Sequence, residues 1–175
     1  MSNPVDLFAK VLEEFSNHSK WDDATLGKIK TISNTKVGDV GQVFIEKLCE
    51  EFSYACEFPI TKTGNRSKQS PWDIRIRNVE FELKTATEDV SGSFQFNHIR
   101  YHRPYEALLC LGVSPDNLYF KIWSKAEVAT GKAGRLVSME KGGNASYKLT
   151  KSPAQLLKIA EFEAEMKKFT NEFEK

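Results

Sequence analysis

Cysteine, methionine and proline are scarce in this chain: 3, 3 and 6 of 175 residues. Three cysteines, odd in number and set among apolar neighbours (Cys49, Cys56, Cys110), exclude a disulfide scaffold. Cys49 and Cys56 stand seven apart, a spacing that matches no zinc site, so all three read as structural thiols in a reducing cytoplasm. No apolar run approaches the roughly 18 residues that a membrane span needs, so no membrane partner is expected. The opening segment MSNPVDLFAKVLEEF lacks a basic start followed by an apolar run, so no secretory signal is expected either. There is no GxxxxGK[ST] pattern, which argues against a nucleotide cofactor. Neither sign of charge dominates: 25 Lys and Arg against 24 Asp and Glu leave a net charge of +1. That excludes both a polycation that coats nucleic acid in bulk and an acidic disordered tail.

What is present is a chain of ordinary globular composition, 40% apolar and 28% charged, long enough for one domain with a real core. The near-neutral total conceals an uneven distribution. Residues 1–57 carry 6 basic and 10 acidic side chains, 58–154 carry 15 and 9, and 155–175 carry 4 and 5. The middle of the chain is therefore basic. Val5, Phe8, Leu12 and Phe15 mark one face of a helix over 4–17, and Gly41, Phe44, Leu48, Phe52 and Ala55 mark a second over 37–55. Between them Trp21 is the one large apolar anchor of a polar connection. Short β-like runs follow at 57–61, 72–77, 79–86, 106–113 and 118–123, separated by turn-formers, with a short helix predicted over 94–102. Ser152-Pro153-Ala154-Gln155 then has the pattern of a capping box, and Ile159, Phe162, Met166, Phe169 and Phe173 predict a closing helix over 152–175. That stripe suits core packing, with a dimer seam as its alternative. The expected class is α/β (α+β) in one domain, 1–175. Its parts are an N-terminal helix and connection (1–35), a core (36–125), a basic loop or hairpin region (126–151) and the closing helix.

The chemistry concentrates in 72–84, WDIRIRNVEFELK. Apolar and polar residues alternate strictly on both arms, which predicts two half-buried strands. A two-residue turn at Arg77-Asn78 pairs residues whose numbers sum to 155 and sets Asp73 opposite Glu82, with Cβ atoms roughly 5 Å apart. Two facing carboxylates repel unless a counter-charge joins them. A divalent cation such as Mg²⁺ or Ca²⁺, taking hard oxygen ligands at about 2.0–2.6 Å, supplies one. Lys84 shares the face of Glu82 and is placed to orient a water nucleophile or offset charge on a phosphate. Arg66, Lys68, Arg75 and Arg77 around this patch would suit a phosphate backbone. The competing reading is an ordinary amphipathic hairpin with a polar outer face.

The arrangement S-P-W-Asp73 followed by F-Glu82-L-Lys84 resembles the PD-(D/E)xK nuclease superfamily, to which most Type II restriction endonucleases belong. The resemblance spans 36–125: Lys36 to Gln42 is similar to the helix preceding the core sheet, and 94–100 with 105–111 to the helix and strand that close it. It implies a restriction-endonuclease-like core, a mixed central sheet flanked by helices. It further implies that Asp73 and Glu82 hold Mg²⁺, that Lys84 assists the attacking water, and that phosphodiester hydrolysis leaves a 5′-phosphate. Two departures stand out. Trp72 separates Pro71 from Asp73, and Gln42 occupies the place of the family's helix glutamate. Glu46, one turn on, lies about 160° from the centre of the apolar stripe at 100° per residue, which points it to solvent. A third ligand from this helix is left open, with Gln42 as a group behind the metal.

If 94–102 is helical, His98 and His102 stand one turn apart with Arg100 and Arg103 beside them. That fits a basic, DNA-contacting helix better than zinc, for which no third ligand is near. Gln95 and Asn97 would read adenine edges or cap the helix. Gly131, Gly134, Gly142 and Gly143, interleaved with Lys132, Arg135 and Lys141, suit a DNA-facing loop or a surface hairpin. The expectation is an Mg²⁺-dependent endonuclease acting on double-stranded DNA, a Type II restriction enzyme or its cleavage subunit, working as a homodimer or with a partner subunit. The alternatives are a structure-specific repair or recombination nuclease and a non-catalytic DNA-binding module on a nuclease-like fold.

Overall fold

The computed structural model describes residues 3–15, 19–140 and 145–173. Two helices open the chain, α1 (Pro4–Phe15) and α2 (Asn34–Glu51), with a 3₁₀ turn at Gly27–Thr31 between them. Strands β1 (Cys56–Glu57), β2 (Ile74–Ile76), β3 (Val79–Thr87), β4 (Phe94–Ile99), β5 (Ala107–Val113) and β6 (Leu118–Ser124) follow. Then come α3 (Lys125–Ala129), β7 (Leu136–Ser138), β8 (Tyr147–Lys151), β9 (Leu157–Lys158) and α4 (Phe162–Phe173). The architecture is mixed α+β. A six-stranded sheet runs in spatial order β1-β2-β3-β5-β6-β9, and β4-β8-β7 form a second, smaller sheet. Only β3 and β5 are parallel neighbours within the large sheet, so it is mixed as expected.

Strand alternation sorts the core into two layers. Ile74, Phe81, Leu83, Leu109 and Ile122 turn to one face, where Ile45 and Cys49 of α2 and Phe162 and Met166 of α4 cover them. Leu108, Cys110 and Trp123 turn to the other, where Phe94, Phe96 and Leu149 of the small sheet and Val128 of α3 meet them. Buried on both faces, β5 is apolar almost throughout (ALLCLGV), as an interior strand must be. Ser33 caps α2, its Oγ accepting from the Lys36 N–H. The buried stripe of α2 is Val37, Gly41, Ile45 and Cys49, centred about one residue away from the expected Phe44-Leu48-Phe52 line, which is half-buried at its flank. A Cβ at Gly41 would lie 1.9 Å from Thr85 Oγ1, so the missing side chain is what lets α2 rest on β3.

The expected short helix at 94–102 is a strand. Phe94 and Phe96 turn inward while Gln95 and Asn97 turn outward, and a bulge at His98 (φ 57°) returns Ile99 to the core. The extra residue spaces the apolar positions like those of a helix, which misleads a period count. The closing segment is also not one helix. Gln155 does accept from the Ser152 N–H, but that box closes a single 3₁₀ turn, Pro153–Gln155. β9 and another 3₁₀ turn intervene before α4 begins at Phe162. Within α4, Phe162 and Met166 are buried in the core, so the stripe serves packing. The 126–151 region forms α3 and the β7–β8 hairpin; Lys141, Gly142 and Gly143 lie outside the described residues.

The β2–β3 hairpin keeps its predicted register, with Ile74 opposite Phe81, Arg75 opposite Glu80 and Ile76 opposite Val79. Arg77 and Asn78 both take positive φ (47° and 70°), the conformation of a two-residue hairpin turn. Arg77 is held there from outside: Nε donates to Thr170 Oγ1 at 3.0 Å and a terminal nitrogen to Asn171 Oδ1 at 2.9 Å.

Candidate active site

The ladder stops one pair short of the expected Asp73–Glu82 pairing. The Asp73 N–H donates to the Phe81 carbonyl at 2.8 Å, and the strands then part. The Asp73 carboxylate accepts from the Leu83 N–H at 2.8 Å, a donor that the short β2 leaves without a ladder partner. No described group donates to its other oxygen. Burial raises the Asp73 pKa above the ordinary carboxylate value and the Glu82 charge adds to this, against the Leu83 N–H, Lys84 and Arg103. From α2, Gln42 Nε2 donates to the Asp73 carbonyl at 3.1 Å, so the helix grips this residue through its backbone.

Glu82 lies deeper, 4% exposed. Its Oε1 takes the Lys84 ammonium at 2.8 Å, and Oε2 faces the Arg100 N–H at 3.5 Å. Tyr105 stands behind it, 2% exposed, its hydroxyl buried with no hydrogen-bond partner among the described residues. Burial first, then the Glu82 charge, push that phenol well above its ordinary pKa.

Lys84 sits where two hollows meet. One, of about 500 Å³, is lined by Asp73, Leu83 and Lys84 of the sheet, by Asp39, Gln42 and Val43 of α2, and by Phe58, Arg66 and Lys68 of the 58–72 loop. The other, of about 450 Å³, is walled by Asn34, Thr87, Asp89, Gln95, Asn97 and His98. Both include Thr35, Gly38, Leu83 and Lys84, so they are two lobes of one groove with Lys84 on the divide. Arg66 lies over the Phe58 ring, 3.5 Å from its centroid, and pairs with Glu46 at 2.6 Å. Glu46 thus serves the groove wall through Arg66, while Gln42 is the helix residue that reaches Asp73.

The structure therefore brings Asp73, Glu82, Lys84 and Gln42 together, with Arg66 and Lys68 on one lobe and Gln95, Asn97 and His98 on the other. Gln95 Nε2 is bound to Asp89 Oδ2 at 3.0 Å, and neither it nor Asn97 caps a helix. The helical spacing of His98 and His102 disappears with the helix itself. Arg103 reaches the Ser70 carbonyl at 3.5 Å, and Arg100 contributes its backbone to Glu82. Arg75 is turned away, bound between Glu57 and Glu80 at 2.7 and 2.6 Å, and Arg77 is spent on α4. Two residues beside the site fall outside the motif pattern of the sequence. Asp39 precedes Gln42 by three on the same helix face, a findable signal. Tyr105 carries none, because only the packing sets it behind Glu82.

Among the described residues no group of three or more His, Cys, Asp or Glu side chains is placed to hold a metal. Asp73 and Glu82 nonetheless suit Mg²⁺ by donor type, since that ion keeps several waters and usually takes one or two carboxylates from the protein. Asp73, desolvated and with one oxygen lacking a donor, has the unmet charge that a cation answers. Among the described residues no helix is long and apolar enough to cross a membrane. No family model, curated protein or solved structure matches the chain.

Proposed function

We propose that the chain is an Mg²⁺-dependent endonuclease hydrolysing DNA phosphodiester bonds, of the Type II restriction class or the cleavage subunit of such an enzyme, and leaving 5′-phosphate ends. The observation that carries this reading is Lys84 on the divide of an open groove, with Asp73 lining one lobe beside it and buried Glu82 paired to its ammonium at 2.8 Å. The PD-(D/E)xK-like order of these residues agrees with it.

On this reading Asp73 and Glu82 hold the cation. When bound, the cation supplies Lewis-acid polarisation of the scissile phosphate and offsets its charge. Lys84, steadied by Glu82 Oε1, donates a hydrogen bond that orients the attacking water and meets the charge growing on phosphorus-bound oxygen. Gln42 fixes the main chain of Asp73, which holds its carboxylate at the strand fork. Arg66 and Lys68 on one lobe take backbone phosphates, giving the salt-sensitive part of binding. Asn97 and His98, exposed on the other lobe, face the base edges.

The test is incubation with plasmid DNA and Mg²⁺, reading discrete ends by run-off sequencing. Asp73→Asn is expected to abolish cleavage while binding in Ca²⁺ persists, and cutting at the wild-type rate would refute the assignment. Millimolar Mg²⁺ or Ca²⁺ should also raise the melting temperature of the wild type and not of Asp73→Asn. Cleavage confined to branched or nicked DNA would select a structure-specific nuclease instead. Unchanged function in Lys84→Ala and Glu82→Ala would select a non-catalytic binding module.

A further inference from the structure

Helix α1 is amphipathic, yet none of its residues is buried. Val5, Leu7, Phe8, Val11, Leu12 and Phe15 are all exposed, Phe8 at 69% and Phe15 at 77%. Six large apolar side chains on a helix about 18 Å long form a face that water does not favour. On the body of the protein lies an apolar groove of about 390 Å³ between the Gly27–Thr31 turn, α2 and the β5–β6 end of the sheet. Ile29, Ile32, Val40, Phe44 and Leu118 line it, and Val40 remains 47% exposed. Helix and groove also match in charge. The charged residues of α1 are Asp6, Lys10, Glu13 and Glu14, a net of −2, whereas the groove has Lys28 as its charged lining residue, with Lys30 on the same turn.

We propose that α1 of one copy docks its apolar face into this groove of a second copy, and that the exchange is reciprocal. The structure holds α1 off the groove of its own chain, whose lining includes no α1 residue. The helix is thus presented outward while the groove stays open, and two copies satisfy both surfaces at once. Each then contributes the same helix and the same groove, which closes the assembly about a two-fold axis as an isologous dimer. Phe8, Leu12 and Phe15 supply the apolar anchors expected of a helix seated in a groove. The net negative charge of α1 is matched by Lys28 in the lining of the groove.

The experiment is sedimentation velocity and light scattering on the full chain from 1 to 100 µM (roughly the span over which a dimer of micromolar Kd changes its population). Wild type is expected to dimerise, and Phe8→Glu and Val40→Glu, both at exposed positions, each to be monomeric with unchanged circular dichroism. Mixing the two variants should restore a dimer, because the groove of Phe8→Glu accepts the helix of Val40→Glu at one of the two contacts. A wild type that stays monomeric throughout overturns the proposal, whether α1 folds onto its own groove or binds something else. Undiminished dimerisation of Val40→Glu overturns it in favour of pairing between the two α1 helices.

Discussion

Adding one methyl group at Gly41 probes the closest approach of α2 to the sheet. An ideal Cβ there meets Thr85 Oγ1 at 1.9 Å and Thr85 Cβ at 2.9 Å. Neither atom belongs to a long flexible side chain, so helix and strand must separate. Overpacking of this severity costs about 3 kcal/mol, at the upper end of its usual range. Alanine in place of glycine inside a helix returns about 1 kcal/mol. The net loss expected for Gly41→Ala is therefore about 2 kcal/mol, or roughly 4–8 °C in melting temperature for a domain of this size. The partner is identifiable, because Thr85 Oγ1 is itself buried without a hydrogen-bond partner among the described residues. Thr85→Ala removes the nearer contact along with an unsatisfied hydroxyl. The double variant should then recover about 1 kcal/mol or more relative to the sum of the single changes. Urea midpoints for the four proteins measure this, provided the slope of the transition is unchanged. A Gly41→Ala chain as stable as wild type, or stabilised by the full helix-propensity gain, would refute this packing of α2 on β3. The consequence reaches the groove, since Gln42 is the next residue and holds the Asp73 carbonyl.

Phe162 is fully buried, with its ring centroid 5.1 Å from that of Phe120 and 6.4 Å from that of Phe52; Phe162→Ala should lose about 3–5 kcal/mol in urea unfolding, and a loss near zero would mean that α4 is not docked. The Thr25 N–H, 2.9 Å from Asp116 Oδ1, holds the Asp116 carboxyl below its ordinary pKa. A depressed carboxyl stabilises the fold above its unfolded pKa of about 3.9 and ceases to do so as pH falls through the folded value. Asp116→Asn should therefore lower the urea midpoint at pH 5–7 and converge with wild type in acid strong enough to lie below the lowered folded pKa, where the carboxyl is protonated in both states. A gap that persists there would exclude the charge as its cause.

The parts of the fold legible in the sequence are those whose determinants lie close together. Asp73, Glu82 and Lys84 fall within one hairpin, and alternation with the two-residue Arg77-Asn78 turn was enough to set its register. The register did not extend to Asp73, because what that residue does depends on where β2 ends. With β2 only three residues long, the Leu83 N–H has no strand opposite it, and the carboxylate takes its place. Arg75 and Arg77 looked available for phosphates for a related reason. Of Arg75's partners, Glu80 stands opposite it in the hairpin, but Glu57, like Thr170 and Asn171 on Arg77, lies 18 to 94 residues away, where no local pattern exposes it.

The misreading of 94–102 has a different origin, and it bears on the groove. Phe94, Phe96 and Ile99 are all buried, yet a regular strand would place 94 and 99 on opposite faces. The bulge at His98 corrects the parity by one residue, at the cost of a positive φ. The same insertion puts His98 on the groove side next to Asn97, where strict alternation would have turned it toward the core. Its backbone N–H faces Met139 Sδ at 3.3 Å, and its Nδ1 lies 3.2 Å from Ser146 Oγ, so the β7–β8 hairpin holds the strained residue in position. The feature that defeats periodicity is thus also the one that sets two consecutive polar side chains on the groove wall, facing Lys84 across the second lobe.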